Sequence, residues 1–129
     1  MIQTKCVHSD FDAAADGFRV LVTRFRGRGL SKTRYDAWIP SLGPSEKLLG
    51  DIQKGKISWK EFARRYRQEI FEAAPVDRRD RTIKNHGQKF TLRLLQALAK
   101  RERVTLLCHC PENQPHCHRH ILAKLVKTT

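Results

Sequence analysis

A small α/β domain, three layers deep with a short and mostly parallel sheet, is the fold class that this sequence predicts. Three observations predict it. "RVTLLC" (103–108) is a short, largely apolar run, the mark of a strand buried on both faces. It lies between two amphipathic helical segments, about 88–101 and 116–127, as in a layered helix–strand–loop–helix unit. A second strand, "GFRVLVTRF" (17–25), alternates Phe18, Val20 and Val22, with Leu21 making its centre apolar on both sides. The 129 residues are expected to form one domain over 1–129, long enough to bury a core without staples.

The remaining elements follow in order. "IQTKCV" (2–7) predicts a short first strand, with Cys6 as a core residue lying apart from the other cysteines. "RFRGRGLSKTR" (24–34) holds five basic residues, no acids and two glycines, which suits either an anion-binding loop after a strand or a solvated loop. It lacks the Gly-Lys-Ser/Thr ending of a phosphate loop. "DAWIPSLGPSEKLL" (36–49) carries two prolines and reads as irregular, with a short helix beginning at Ser45. "SWKEFARRYRQEIFEAA" (58–74) is the clearest helix. Ser58 and Glu61 form a capping box, and Trp59, Phe62, Tyr66 and Ile70 form one apolar stripe. "PVDRRDRTIKNHG" (75–87) is a polar connection. The helix after it should bury Phe90, Leu94, Ala97 and Leu98.

Charge narrows the partners. Twenty-six Lys and Arg against thirteen Asp and Glu give a net charge of +13. Such a surface attracts polyanions, so a phosphorylated small molecule or a nucleic acid is the partner class to expect. No apolar run approaches a membrane span, and the start lacks the apolar stretch of a signal peptide. The expectation is a cytoplasmic protein without a membrane partner, whose cysteines are free thiols or metal ligands and not disulfides.

The chemistry concentrates in "CHCPENQPHCHRH" (108–120), which holds three of the four cysteines and four of the six histidines. Ligand crevices in open parallel sheets lie beyond the carboxyl ends of the strands, where Cys108, His109 and Cys110 should sit. Cys117, His118 and Arg119 fall in the first turn of the next helix, where unpaired N–H groups favour anions and lower a thiol pKa. Cys117 aligns with Ile121 and Leu125 on the buried stripe, His118 borders it, and His120 should be exposed. Cys108 or Cys117 as nucleophile with His118 as base would make a thiol-dependent enzyme. Arg119 adds a planar fork for a carboxylate or phosphate.

Zinc is the other chemistry these residues admit. Cys108, Cys110, Cys117 and His118 make a Cys3His set, but the pair here is Cys-x-Cys at a strand end. On a helix, adjacent Cys117 and His118 would point about a hundred degrees apart. Free thiols without a metal are therefore the expected state, and no cofactor is favoured.

Four segments resemble, in order, the domain of unknown function 488 family, including its YeaO-like branch. They are "DGFRVLVTRFRGRGLSK" (16–32), "DAWIPSLGPSEKL" (36–48), "WKEFARRYRQEI" (59–70) and "VTLLCHCPENQPHCHRHIL" (104–122). The resemblance implies a compact α/β fold and no established activity. It also implies site positions at Arg24, Arg28, Ser45, Cys108, Cys117, His118 and Arg119. The chain departs from the family pattern at His109-Cys110, where many relatives carry an acidic residue near Cys110. Together these readings lead to an anion-binding cleft, with Arg24 and Arg28 facing Arg119 across the strand ends.

Overall fold

The computed structural model describes residues 1–73, 82 and 86–129. Four parallel strands form one sheet: β1 (Ile2–Cys6), β2 (Phe18–Leu21), β3 (Ala37–Trp38) and β4 (Val104–Cys108), in the order β1-β4-β2-β3. The apolar run of 103–108 becomes β4, an inner strand buried along its whole length. Its neighbours are β1, with Ile2 opposite Val104 and Cys6 opposite Cys108, and β2, with Leu21 opposite Leu107. Cys6 therefore stands one strand over from Cys108, in register. It is buried at the edge of the cysteine cluster and not apart from it.

The helices are α1 (Ala13–Asp16), α2 (Glu46–Gln53), α3 (Trp59–Phe71), α4 (Lys89–Arg101) and α5 (His118–Lys127). Side-chain alternation along the strands separates two layers of packing. On one face Val20, Val22, Val104 and Leu106 meet Phe62, Tyr66, Ile70, Leu92 and Leu122 from the helices. On the other, Leu21 and Leu107 are covered by Val7, Leu30 and Tyr35 from the loops. This second cover is thin and partly polar. Thr105 donates its hydroxyl to the Asp16 carbonyl (2.6 Å), and Lys5 pairs with the Asp16 carboxylate (3.1 Å) beside α1. The arginine-glycine loop thus lies over the face opposite the main helices.

Local signals act where expected. Ser58 caps α3 by accepting from the Glu61 N–H (3.1 Å), and Ser45 caps α2 by accepting from Leu48 N–H (3.2 Å). In α4 the buried side chains are Leu92 and Leu95, whereas Phe90 and Leu94 are 52% and 71% exposed. The helix carries two apolar stripes. Gln96 helps select between them by donating to the carbonyls of Val126 (3.2 Å) and Thr129 (2.6 Å), which sets the rotation of α4 against α5. The short α1 and the two-residue β3 carry no periodicity long enough to read. Most of the polar connection 75–87 lies outside the described residues. No helix among the described residues is long and apolar enough to cross a membrane.

Candidate functional site

β4 ends at Cys108, and the chain turns there into the loop that leads to α5. The Cys110 N–H points back to Cys108 Sγ (3.4 Å). Cys117 Sγ donates to Cys108 Sγ at 3.1 Å, with both sulfurs buried. Cys110 is half-buried. Cys117 is the N-cap of α5 and has an extended backbone (φ −133°, ψ 140°). The helical angle between adjacent residues therefore does not apply to Cys117 and His118. Both turn toward β4, and Cys117 Sγ lies 3.9 Å from His118 Nδ1.

His118 is fixed in one tautomer. Its Nε2 is 2.8 Å from the Val22 carbonyl, which can only accept, so Nε2 carries the proton and Nδ1 presents a lone pair. Burial pushes its pKa below the ordinary imidazole value, against the pull of the Val22 hydrogen bond. The Tyr66 ring meets it edge-on at 5.6 Å, and the Tyr66 hydroxyl donates to Leu42 O (2.5 Å).

Arg119 is only 1% exposed. Its fork does not open to solvent. Nη1 donates to the Cys110 carbonyl (3.0 Å), and Nη2 to those of Pro111 (3.0 Å) and Glu112 (3.1 Å), while Nε has no acceptor. It forms none of the ion pairs among the described residues. A buried guanidinium without a carboxylate calls for a negative partner nearby. The Nη1 bond of Arg119 to the Cys110 carbonyl places the guanidinium beside the sulfur cluster. The Cys110 thiol is held well below the usual range, first by hydrogen bonding with Cys108 and the sulfur cluster around it and further by the charge of Arg119. Cys108 is pushed up to about 11, chiefly by its interaction with Cys110, and Cys117 is pushed up chiefly by that with Cys108.

Cys108, His109, Cys110 and His118 line a cavity of ≈ 200 Å³ together with Arg24, Phe25, Leu49 and Gln53. Arg24 is anchored by donating to the carbonyls of Pro44 (3.0 Å) and Gly43 (2.8 Å). The other expected anion-binding residues are placed elsewhere. Arg28 lines a separate cavity, and Arg119 and Ser45 line neither. Ser45 already holds an anion belonging to the protein: its N–H (2.9 Å) and hydroxyl (2.5 Å) donate to the Glu69 carboxylate. Arg28 and Arg119 thus line no common cavity, and His109 lines both of the cavities described. His120 is half-buried and bonded to the Gln114 carbonyl (3.0 Å), not exposed. Cys110, placed by sequence reasoning only in a zinc set, emerges as the accessible sulfur. Its position two residues beyond a buried strand end was the available signal.

One ligand atom each from Cys108, Cys117 and His118 lie within 4.8 Å of one another, so these three residues could hold a metal ion. A family model described as the active DUF488-N3 subclade matches residues 2–129. Comparison with curated proteins and with solved structures finds no match.

Proposed function

The chain belongs to the DUF488 family, within the subclade described as active, and on that footing we propose that it is a thiol-dependent enzyme acting on a small anionic substrate. One observation carries the reading: the accessible sulfur of a three-thiol cluster, backed by a buried Arg119 with no carboxylate partner among the described residues, shares a cavity with Arg24. The word "active" in the description of the subclade supports chemistry over simple binding.

In this reading Cys110 is the nucleophile. Its sulfur lone pair forms a bond to an electrophilic carbon of the substrate. The bond to the leaving group breaks, and its electron pair departs with that group. Water then releases the product and returns the thiolate. Cys108 acts as hydrogen-bond donor to the sulfur, Cys117 donates to Cys108, and His118 lies beside Cys117. Arg24 orients the anionic part of the substrate through its unbonded Nη1. A cavity of ≈ 200 Å³ suits a small group, not a large hydrophobic ligand.

The test is limited alkylation with iodoacetamide at about pH 6, where an ordinary thiol reacts slowly, followed by peptide mapping. One adduct per chain, at Cys110, is expected. Equal, slow labelling of the four cysteines overturns the proposal.

A second reading is favoured by the 4.8 Å spread of ligand atoms and by the unprotonated His118 Nδ1. A thiophilic ion such as zinc would take Cys108, Cys117 and His118, with Cys110 near the fourth position. Elemental analysis of protein purified without chelator separates the two. Near-stoichiometric zinc supports the second reading.

A further inference from the structure

On the far side of the His109 ring a second cavity, of ≈ 400 Å³, opens between the arginine-glycine loop and the turn after β1. His8, Arg28, Ser31, Arg34 and His109 line it, with the glycines 27 and 29, and no carboxylate among the described residues does. Glu112, close in the chain to His109, is turned to other partners. Its Oε2 accepts from the Cys6 N–H (2.6 Å) and the Ser9 hydroxyl (2.9 Å).

The donors in this cavity are held in place before any ligand arrives. Arg34 is fixed by Nε and Nη2, which donate to the Val7 carbonyl (3.1 and 2.8 Å); Nη2 also reaches Ser9 O (2.6 Å). Its Nη1 is left over. His109 Nε2 faces the Arg26 carbonyl (2.9 Å), so it carries the proton, and Nδ1 must accept from His8 Nε2 (3.2 Å). That leaves His8 Nδ1 as the unpartnered ring nitrogen of the pair, a lone pair in the neutral ring and a donor to an anion once the ring is protonated. Gly27 (φ +94°) is what lets His109 lie there, since a Cβ at this position would stand 2.7 Å from the ring. Arg28 is exposed and joins no ion pair among the described residues. The bond closing the loop runs from Leu30 N–H to the Gly27 carbonyl (3.4 Å) and uses neither the Arg28 nor the Gly29 N–H.

We infer that this cavity is a phosphate subsite, and that the substrate carries a phosphate monoester bound here while its reacting carbon reaches Cys110. The second half rests on the proposed function; the first does not. Two permanent guanidinium charges with no acid between them match a dianion, and guanidinium geometry suits phosphate oxygens. The cavity has room for a phosphate and the sugar next to it. His109 is the shared wall, so a ligand crossing one imidazole passes from the charged cavity to the thiol-lined one.

The experiment is an amide NMR titration of the full chain with inorganic phosphate, against chloride at matched ionic strength. Saturable shifts at His8, Arg28, Gly29 and Ser31 are expected. Arg28→Ala should weaken binding about tenfold, the loss of one charge-assisted contact, with Arg28→Lys in between. Because Arg28 is exposed and unbonded, both variants should fold, and His8→Gln provides a second, independent weakening. Phosphate that perturbs no more than chloride, or binds Arg28→Ala as tightly as wild type, overturns the subsite. Adenosine 5′-monophosphate should bind more tightly than a short oligonucleotide lacking a terminal phosphate. The reverse order overturns the monoester and points to nucleic acid. Phosphate binding without selective Cys110 labelling removes only the thiol reading, and selective labelling without phosphate binding removes only the subsite.

Discussion

The Sγ atoms of Cys108 and Cys117 stand 3.1 Å apart, although one ends a strand and the other precedes a helix. Both are buried, and both are free thiols. A small rotation about either Cα–Cβ bond would bring them to bonding distance. Treatment with a slight excess of hydrogen peroxide should therefore link Cys108 to Cys117 or to Cys110, with two thiol hydrogens lost and peroxide reduced to water. Cys6 should stay reduced. Tryptic mapping without reductant reads the outcome, and a Cys6-containing disulfide as the main product would contradict the geometry.

Arg119→Met removes three donors and leaves the carbonyls of Cys110, Pro111 and Glu112 to find water. It also removes the charge behind the sulfurs. A loss of about 3 kcal/mol in urea denaturation is expected, in the range for charged hydrogen bonds. Cys110 alkylation should slow in the same variant. Unchanged alkylation together with lost stability would confine Arg119 to holding the loop.

Gly27→Ala should cost about 1–3 kcal/mol, because φ of +94° suits glycine and the new methyl meets the His109 ring. Gly29 has a similar backbone (φ +80°) but open space where a Cβ would stand, so Gly29→Ala carries backbone strain alone. The difference between the two variants isolates the contact with His109. Equal melting points would mean that the ring can move aside freely.

Burial pushes the His118 pKa below the ordinary imidazole value. Its ring resonances should not titrate as pH falls from 8 to about 6. The unfolded chain gains a proton at this residue below about pH 6.5, and the folded chain does so only at lower pH. Stability must then fall with falling pH through that window, by at most about 1.4 kcal/mol per pH unit from this group. Carbon-detected NMR gives the titration, and urea midpoints between pH 7 and 5 give the linkage. A His118 ring that protonates near 6.5 would refute both.

The parts of the fold that sequence makes readable are those with long periodicity or a local cap. β4 announces itself by burial on both faces, and α3 by its stripe and the Ser58–Glu61 cap. The thiol cluster, too, sits at the carboxyl end of an inner parallel strand, as its position predicts. What could not be read depends on contacts between distant segments. Cys6 joins the neighbourhood because β1, and not β2 alone, flanks β4. Arg119 points inward because the loop 110–112 folds its carbonyls over the start of α5. Arg28 and Arg24 lie only four residues apart, yet the His109 ring divides their cavities, which no spacing rule could foretell.

The strand order carries a consequence for synthesis. β1 and β2 do not pair with each other; each pairs with β4, which begins at Val104. Until that segment leaves the ribosome, the two earlier strands have no common neighbour and the sheet cannot close. Contacts between segments so far apart in sequence slow folding. Before β4 is made, the strand pairing available to the earlier segments is that of β2 with β3. The sulfur cluster then assembles in the same late step that completes the sheet.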